Sequence, residues 1–472
     1  MQMPQSKIFA QKQSNLFYFI FFIGLLIFAS LVKDFVFWLW SYGYELQLLK
    51  LIVNNDGTWD DSWGPMYEAA WVYVFKPDSG LYQTIFFDYQ TKFQYPPISI
   101  LPFIPLIKLD VEVEDFCYYM GYVSIFMAIV TGYIVYRLAV IANNRIFDDQ
   151  SVLNLWEKAA LFFILFVGTL TFYPIVYGVW LGQIQVMLDL VICLAMLAWV
   201  SDKKQMSGVL VAFAALIKPQ FLLFLLWSLI RKEHKFTLGM VAVFVPAGIV
   251  SLAVFGFDEH LAYVSVLSFI GQHGEVYWPN QSMNGLLNRL LSGLNTLQFS
   301  VEEFAPYNPA VYFGTVITTA ALVLFALLYR AIKPGEVSKS IQKRNSVLDF
   351  GTMLVVATIA SPIAWEHHYG VTWPVIIIAF MAAIEIYRNR PTWLASANLI
   401  FMGASYFLIS NYFYFINKKV SLSLPPWNLV QSYMYYGGLI LLVSLIISRK
   451  LISDAASSRT GNFKDSRANV PS

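Results

Sequence analysis

The sequence predicts an all-α polytopic membrane protein, and its composition and apolar runs carry that prediction. Of the 472 residues, 58% are hydrophobic and only 13% are charged, whereas soluble domains average about 25% charged residues. Several apolar runs reach the roughly 17–25 residues that a helix needs to cross a bilayer. Alternation of apolar and polar residues is absent, which argues against a β-barrel. We expect about ten to thirteen transmembrane helices.

The first span follows a basic N-terminal segment. Residues 16–32 form an apolar run that is too long for the apolar part of a signal peptide, so we expect an uncleaved span. Lys7 and Lys12 precede it and indicate a cytoplasmic N-terminus, because positive charges collect on the cytoplasmic side. The segment after this span, residues 33–95, is then a first outer loop.

The first outer loop mixes acidic and aromatic side chains. Its acidic residues from position 54 onwards are Asp56, Asp60, Asp61, Glu68, Asp78 and Asp88. Acids in an outer loop are most often simply solvated, which is the alternative to a chemical role. We interpret the loop as a structured element that presents Asp60 and Asp61 at the outer face of the membrane.

The rest of the chain alternates apolar segments with short loops. Further spans are predicted at residues 116–138, 159–176, 184–200, 207–230, 236–255, 311–329, 350–360, 369–386, 393–413 and 433–447. A Pro-Pro pair at 96–97 opens a shorter apolar stretch, and whether this stretch crosses the membrane stays open. Residues 1–448 form the transmembrane domain, with a second outer loop at 256–310, and residues 449–472 are predicted to be a polar, disordered cytoplasmic tail.

One predicted span contains the pair Lys218-Pro219. A lysine in hydrocarbon costs several kcal/mol, and a proline breaks the helix there. We therefore expect two half-length helices that meet near Lys218. An ionisable residue inside a membrane is a functional candidate by default, and snorkelling of the lysine to an interface is the structural alternative.

Polar side chains also stand at other span boundaries. Gln183 and Gln185 stand at the head of the span at 184–200, where their two amides could satisfy freed backbone groups or bind a hydroxylated ligand. The stretch NQSMNGLLNR adds Asn284 and Arg289 on the predicted outer side. With the carboxylates and the lysine, these groups would suit a sugar and a phosphate.

Two adjacent histidines, His367 and His368, follow Trp365 and Glu366 on the predicted outer side. Neighbouring residues on a helix point about 100° apart, which is a poor geometry for two ligands of one metal ion. A hydrogen-bonding or charged role is therefore favoured, and no metal site is predicted.

The order of these segments resembles glycosyltransferase family 87, whose members are mannosyltransferase-like enzymes of the GT-C superfamily. The matching segments, over about residues 60–375, are D…YEAA, YPPISILPFIPL, GQIQ, LIKP, NQSMNGLLNRL and SPIAWEHH. The resemblance implies a GT-C-like helical bundle with its active site facing the periplasm or the exterior of a bacterial inner or plasma membrane. It also implies a polyprenyl-phosphate-linked sugar donor, a lipid or glycan acceptor and inversion at the anomeric carbon.

An inverting transfer needs one general base for the proton of the acceptor hydroxyl. Asp61 is the expected base, and Asp60 is the alternative because the spacing to the YEAA segment is slightly longer here than in the family. The donor phosphate would bind Lys218 and Arg289. His367 or His368 would assist them in the catalytic site, and the sequence leaves open which of the two.

The remaining site predictions concern the sugar and the acceptor. Gln183 and Asn284 would bind hydroxyl groups, while Tyr67 and Trp365 would stack on sugar faces. No cofactor, metal or nucleic acid is expected, and membrane lipids surround the chain. A secondary transporter or flippase would also have a use for an intramembrane lysine, and a non-catalytic scaffold is a third reading. The acidic outer loop favours the enzyme.

Overall fold

The computed structural model describes residues 14–40, 46–50, 59–147, 154–298, 304–332, 337–418 and 424–468. Within these ranges the chain is helical, and the prediction of an all-α polytopic membrane protein is confirmed. Among the described residues, β-type pairing is limited to one isolated bridge between Asn280 and Trp365. Lys7, Lys12 and Asp56, which served the sequence predictions, lie outside these ranges.

The α-helices are numbered in chain order: α1 (Asn15–Trp40), α2 (Gln47–Lys50), α3 (Trp63–Phe75), α4 (Phe103–Lys108), α5 (Val113–Arg145), α6 (Leu155–Leu170), α7 (Tyr173–Leu181), α8 (Gln185–Val200), α9 (Lys204–Ala215), α10 (Leu223–Arg231), α11 (His234–His273), α12 (Met283–Leu291), α13 (Pro309–Leu328), α14 (Lys339–Ile359), α15 (Trp373–Asn389), α16 (Trp393–Ser410), α17 (Tyr414–Lys418) and α18 (Tyr433–Ala468). Short 3-10 helices lie at Pro77–Ser79, Pro97–Ile100, Pro219–Leu222, Glu366–Thr372 and Trp427–Ser432, and a π-helical turn lies at Gln83–Asp88.

Six helices of the described chain are individually long and apolar enough to span a membrane: α1, α5, α11, α13, α15 with its preceding 3-10 turn, and α16. The pair α6 and α7, bent by 49°, would make a seventh. Six or seven spans are fewer than the roughly ten to thirteen expected from apolar length. The difference arises because α8, α9 and α10 are shorter than a full span, while α14 and α18 carry charged ends.

The centre of the bundle is formed by α14 and α15. Residues 347–359 of α14 and 373–385 of α15 are all buried. By contrast, α1, α11 and α13 expose large apolar side chains such as Phe28, Ile249 and Ile317. An exposed apolar face of this size is expected where a helix meets lipid, so these helices form the periphery.

A buried ion network holds one end of the bundle together. Asp349 of α14 pairs with Arg231 of α10 (Nε to Oδ2, 2.6 Å) and with Arg449 of α18 (Nη2 to Oδ1, 2.9 Å). Arg231 also donates to the carbonyl oxygens of Leu327 and Tyr329 at the end of α13. Four helices are thus joined through side-chain charges that are mostly buried.

The same end gathers other basic helix termini. Arg145 of α5 donates to the Ser201 carbonyl after α8, and Arg344 of α14 pairs with Glu385 of α15 (2.7 Å). Arg344 also donates to the carbonyl oxygen of Ile146, directly after α5. We call this the basic end of the bundle.

The Pro-Pro segment after the first outer loop does not cross the bundle. It forms the 3-10 turn Pro97–Ile100 and the six-residue α4. Phe103 of α4 packs against Trp63 and Tyr67 of α3, with ring centroids 6.5 and 6.4 Å apart. The segment therefore stays with the first outer loop, and α5 then runs from there to the basic end.

Two regions that were predicted as a loop and as a tail contain helix in the structure. The region expected as a second outer loop from residue 256 begins with the second half of α11, which continues to His273 after a kink at Gly256 (φ 76°). The region expected as a disordered tail from residue 449 is helical to Ala468. Once the packed apolar part of α18 is helical, further residues join the helix at little cost in free energy, because nucleation is already complete.

The Asp349 network predicts a stability effect. Replacing Asp349 by Ala should lower the free energy of unfolding by about 3–5 kcal/mol, because two buried arginines lose their counter-charge. The measurement is unfolding in detergent micelles. Asp454→Ala, at an exposed acid of α18, is the matched control and should stay within about 0.5 kcal/mol of the wild type. Equal effects of the two substitutions would contradict a stabilising network.

Candidate active site

The outer loop is held against the turn that follows α7. The backbone N–H of Asp61 donates to the Leu181 carbonyl (3.1 Å), and that of Ser62 donates to the Gly182 carbonyl (3.3 Å). Gly182 has a φ of 72°, and a Cβ at this position would overlap the backbone of Trp59. A glycine is therefore required here both for the left-handed turn and for the close approach of the loop.

The side chain of Gln183 joins this turn to Asp61. Its Nε2 donates to the Asp61 carboxylate, and its Oε1 accepts a hydrogen bond from Ser62 Oγ (2.6 Å). The Ser62 hydroxyl also lies 2.9 Å from the Tyr95 hydroxyl. Because Gln183 is buried and both ends of its amide are engaged, the orientation of the amide is fixed.

Asp61 and Asp60 have different surroundings. Protein atoms crowd the Asp61 carboxylate, although the residue remains accessible to solvent, and this desolvation raises its pKa to about 6. The hydrogen bond from Gln183 and the charge of Lys218 lower the pKa, and the negative charge of Asp60 raises it. Asp60 is exposed and lines an open groove of about 820 Å³. Asp61, with its raised pKa and its positioned carboxylate, has the properties of a general base.

Lys218 lies at the predicted break between two short helices. Its backbone is extended between α9 and the 3-10 turn Pro219–Leu222, and its side chain is 6% exposed. The ammonium donates to Gln185 Oε1 (2.6 Å) at the start of α8. Its charge lies within electrostatic range of Asp61, His367 and His368.

Gln185 and Asp189 also contact this group, and sequence reasoning did not select Asp189. Gln185 Nε2 donates to Asp189 Oδ1 (2.7 Å), one helical turn further along α8. Both residues are 1% exposed. The signal for Asp189 was present in the sequence, because an acid inside an apolar predicted span is a functional candidate.

Both histidines, His367 and His368, lie within electrostatic range of Lys218. They stand on the 3-10 helix Glu366–Thr372, and their rings meet edge to face with centroids 4.7 Å apart. The His367 ring lies 6.4 Å from the ring of Tyr177 on α7. The Nδ1 atoms of His367 and His368 are buried and have no hydrogen-bond partner among the described residues.

Glu366, directly before the histidines, is fully buried and bound by two tyrosines. Its carboxylate accepts hydrogen bonds from the hydroxyls of Tyr173 and Tyr433, each at 2.7 Å. Tyr173 begins a stack of rings along α7, with Tyr177 at 5.3 Å and Trp180 a further 5.7 Å on. One face of α7 is therefore aromatic between Glu366 and the turn at Gly182.

Arg289 and Asn284 of α12 are engaged within the protein. The Arg289 guanidinium donates to the Asn280 carbonyl (3.0 Å) and to Ser432 Oγ (2.6 Å). Asn284 Oδ1 accepts from the Glu275 backbone N–H (3.2 Å) and from the Asn288 side chain (2.8 Å). These contacts satisfy an irregular backbone segment, and Arg289 lies in electrostatic range of Glu366. Arg289 Nε and Asn284 Nδ2 are buried and have no hydrogen-bond partner among the described residues.

Tyr67 and Trp365, the two residues predicted to stack on sugar faces, make their contacts in different parts of the structure. Tyr67 on α3 donates its hydroxyl to the Val111 carbonyl, and it lines the open groove with Asp60. Trp365 forms the isolated bridge with Asn280, and its ring lies 6.3 Å from that of Tyr277. Of the predicted site residues, the structure thus gathers Asp61, Gln183, Lys218, His367 and His368 into one group, which we call the central group.

Comparison with known proteins identifies one family and one relative. The profile of Glycosyltransferase family 87 matches residues 93–362. A relative from Mycolicibacterium smegmatis (strain ATCC 700084 / mc(2)155), the polyprenol-phosphate-mannose-dependent alpha-(1-2)-phosphatidylinositol mannoside mannosyltransferase, is 22% identical over 305 residues. The aligned part is 64% of each chain, which is less than two thirds of that protein. No solved structure matches the chain.

The region of the family match includes Gln183 and Lys218 but not the whole central group. It begins after Asp61 and ends before His367. The roles of Asp61 and of the histidines therefore depend on the geometry of this chain.

The close approach at Gly182 predicts a strong effect of a single methyl group. Gly182→Ala should cost roughly 1–3 kcal/mol of stability, because the alanine must adopt a positive φ and displace the outer loop. Limited proteolysis should also cut the outer loop faster. Gly248→Ala in α11, where a Cβ meets nothing within 4 Å, is the control: it should not lower the stability, because alanine favours the helix, and it should leave the cleavage rate of the outer loop unchanged. An unchanged loop in Gly182→Ala would contradict the docking of this loop on the turn.

Proposed function

The chain belongs to glycosyltransferase family 87, and on this premise we propose that it transfers a hexose from a polyprenyl-phosphate-sugar to a hydroxyl of a lipid or glycan acceptor. Mannose is the proposed sugar, because the mycobacterial relative is by its name a polyprenol-phosphate-mannose-dependent mannosyltransferase. That relative's name also supports a lipid-linked acceptor of the phosphatidylinositol mannoside type.

The convergence of Asp61 with Lys218 and the two histidines is the observation that carries the proposal. A displacement at the anomeric carbon needs a base on the acceptor side and positive or hydrogen-bonding groups on the phosphate side. As the oxygen of the acceptor hydroxyl bonds to the anomeric carbon, Asp61 takes the proton of that hydroxyl. The bond from that carbon to the phosphate oxygen breaks, and its electron pair leaves with the phosphate, beside Lys218.

Unpaired buried atoms support a ligand on the phosphate side. Buried polar atoms of folded proteins are nearly always hydrogen-bonded. The Nδ1 atoms of His367 and His368 have no partner among the described residues. A phosphate oxygen would satisfy an imidazole N–H, and we propose that both histidines contact the donor phosphate.

The other predicted site residues take less direct roles in this proposal. The ring stack of Tyr173, Tyr177 and Trp180 offers apolar faces for a sugar ring or an isoprenoid chain. Arg289 and Asn284 would act by shaping the segment around α12, not by binding the donor. Tyr67 and Trp365 remain candidates for contacts with the acceptor, Tyr67 through the open groove.

We place the reaction on the outer face of a bacterial inner or plasma membrane. The basic end of the bundle carries short loops rich in Arg and Lys, which favours the cytoplasm for that end. The central group then lies toward the other side. An enzyme there cannot use cytoplasmic nucleotide sugars, which is consistent with a donor anchored in the bilayer.

A secondary transporter or flippase was the main alternative reading. Its best support was the buried lysine at a helix break. Family membership now assigns the chain to the glycosyltransferases, and the proposed phosphate contact accounts for Lys218. No contact among the described residues favours the transporter.

Substitution of the two adjacent aspartates tests the assignment of the base. Asp61→Asn should reduce transfer by roughly 10²–10⁴-fold, because the amide cannot accept the hydroxyl proton. Asp60→Asn is the matched control and should retain transfer within a few-fold. The assay uses the full chain in proteoliposomes, labelled polyprenyl-phosphate-mannose and phosphatidylinositol mannoside. Loss of transfer in Asp60→Asn but not in Asp61→Asn would reverse the assignment.

The raised pKa of Asp61 predicts the pH profile. The base must be ionised, and its pKa lies at about 6, so kcat/KM should fall about tenfold per pH unit below that value and level off above it. Gln183→Leu removes a hydrogen bond that lowers this pKa, and the midpoint should therefore move to higher pH. A profile that is flat between pH 5 and 7, or a midpoint unmoved in Gln183→Leu, would contradict this role of Asp61.

A further inference from the structure

We infer that Asp189 and Gln185 are positioning residues that aim the Lys218 ammonium at the donor phosphate. The inference rests on the proposed function, since it names what orients the cation of the same site. One continuous chain of hydrogen bonds connects the three residues. Lys218 Nζ donates to Gln185 Oε1 (2.6 Å), and Gln185 Nε2 donates to Asp189 Oδ1 (2.7 Å).

The polarity of this chain is set by Asp189. A carboxylate only accepts hydrogen bonds, so it draws the NH2 end of the Gln185 amide toward itself. The carbonyl end must then point at Lys218. Without the carboxylate, the amide could rotate by half a turn and present its NH2 group to the ammonium, which would repel it.

Charge balance gives Asp189 a second effect on Lys218. The two residues are 1% and 6% exposed, and an unpaired buried charge is strongly destabilising. The single amide between them keeps the opposite charges near each other without direct contact. The ammonium has three N–H donors, and one is given to Gln185. No second acceptor for the ammonium is found among the described residues, which leaves two N–H donors for an anionic ligand.

Asp189 also contacts the segment that carries the histidines. A Cβ at Gly370 would overlap the Asp189 carboxylate, so a glycine is needed for this approach. The Oδ2 atom of Asp189 is buried and has no hydrogen-bond partner among the described residues. Asp189 thus links α8, and through Gln185 the Lys218 ammonium, to the 3-10 helix Glu366–Thr372 that carries the histidine pair.

A positioning role predicts a loss of selectivity for phosphate, whereas a purely structural role predicts weaker binding of every lipid. The probes are undecaprenyl phosphate and uncharged undecaprenol, titrated into the full chain in nanodiscs with tryptophan fluorescence as the readout. Asp189→Leu and Gln185→Met should weaken phosphate binding about tenfold or more and leave undecaprenol binding within twofold. Asp189→Asn keeps an acceptor for Gln185 and should lose less.

Cys193→Ala, one turn further along α8 and fully buried, is the packing control and should retain the wild-type selectivity. Equal weakening of both lipids, or unchanged selectivity in Asp189→Leu and Gln185→Met, overturns the positioning role. If Asp189→Leu does not fold, Asp189→Asn and Gln185→Met decide alone. A wild-type protein that does not distinguish the two lipids would overturn the phosphate site itself, and with it both proposals.

Discussion

The contact between the turn at Gly182 and the outer-loop segment at Asp61 is the constraint on which the candidate site depends. It joins a loop outside the bundle to the end of a helix inside it, through two backbone hydrogen bonds and the Gln183 amide. Without this contact the carboxylate would belong to a solvated loop. With it, protein atoms crowd the carboxylate and desolvate it in part, and it lies in electrostatic range of Lys218. The position of the loop and the raised pKa of Asp61 therefore have the same origin.

The central group also depends on interruptions of the helices. Gly182 ends α7 in a left-handed turn, Lys218 occupies an extended residue before a 3-10 turn, and His367 stands on another 3-10 helix. Irregular backbone inside a membrane protein is tolerated where protein or a cavity satisfies its polar groups. The buried α14 and α15 supply that surrounding, while the ion network around Asp349 closes the opposite end of the bundle.

The sequence predicted the features that are local in the chain. Composition was sufficient for the fold class, and the pair Lys218-Pro219 predicted the broken helix because a proline cannot continue a helix and a lysine is costly in hydrocarbon. Helix lengths are less predictable from hydropathy: six single helices of the described residues, or seven with the bent pair α6 and α7, are long and apolar enough to span a membrane, against roughly ten to thirteen expected from apolar length. Hydropathy also could not reveal that Arg289 is committed to the Asn280 carbonyl and Ser432, since Ser432 is distant in sequence. Asp189 could have been selected as an acid inside an apolar predicted span, whereas its contacts with Gln185 and Gly370 become visible only in the fold.

The most direct test of the central claim is a structure of the full chain in nanodiscs with a non-transferable phosphonate analogue of polyprenyl-phosphate-mannose. We expect the phosphonate within hydrogen-bonding distance of Lys218 Nζ, next to the histidine pair. The anomeric carbon should then lie between the phosphonate and the Asp61 carboxylate. A phosphonate bound at Arg289, or an anomeric carbon with Asp61 outside hydrogen-bonding reach of an attacking hydroxyl, would contradict the proposed site.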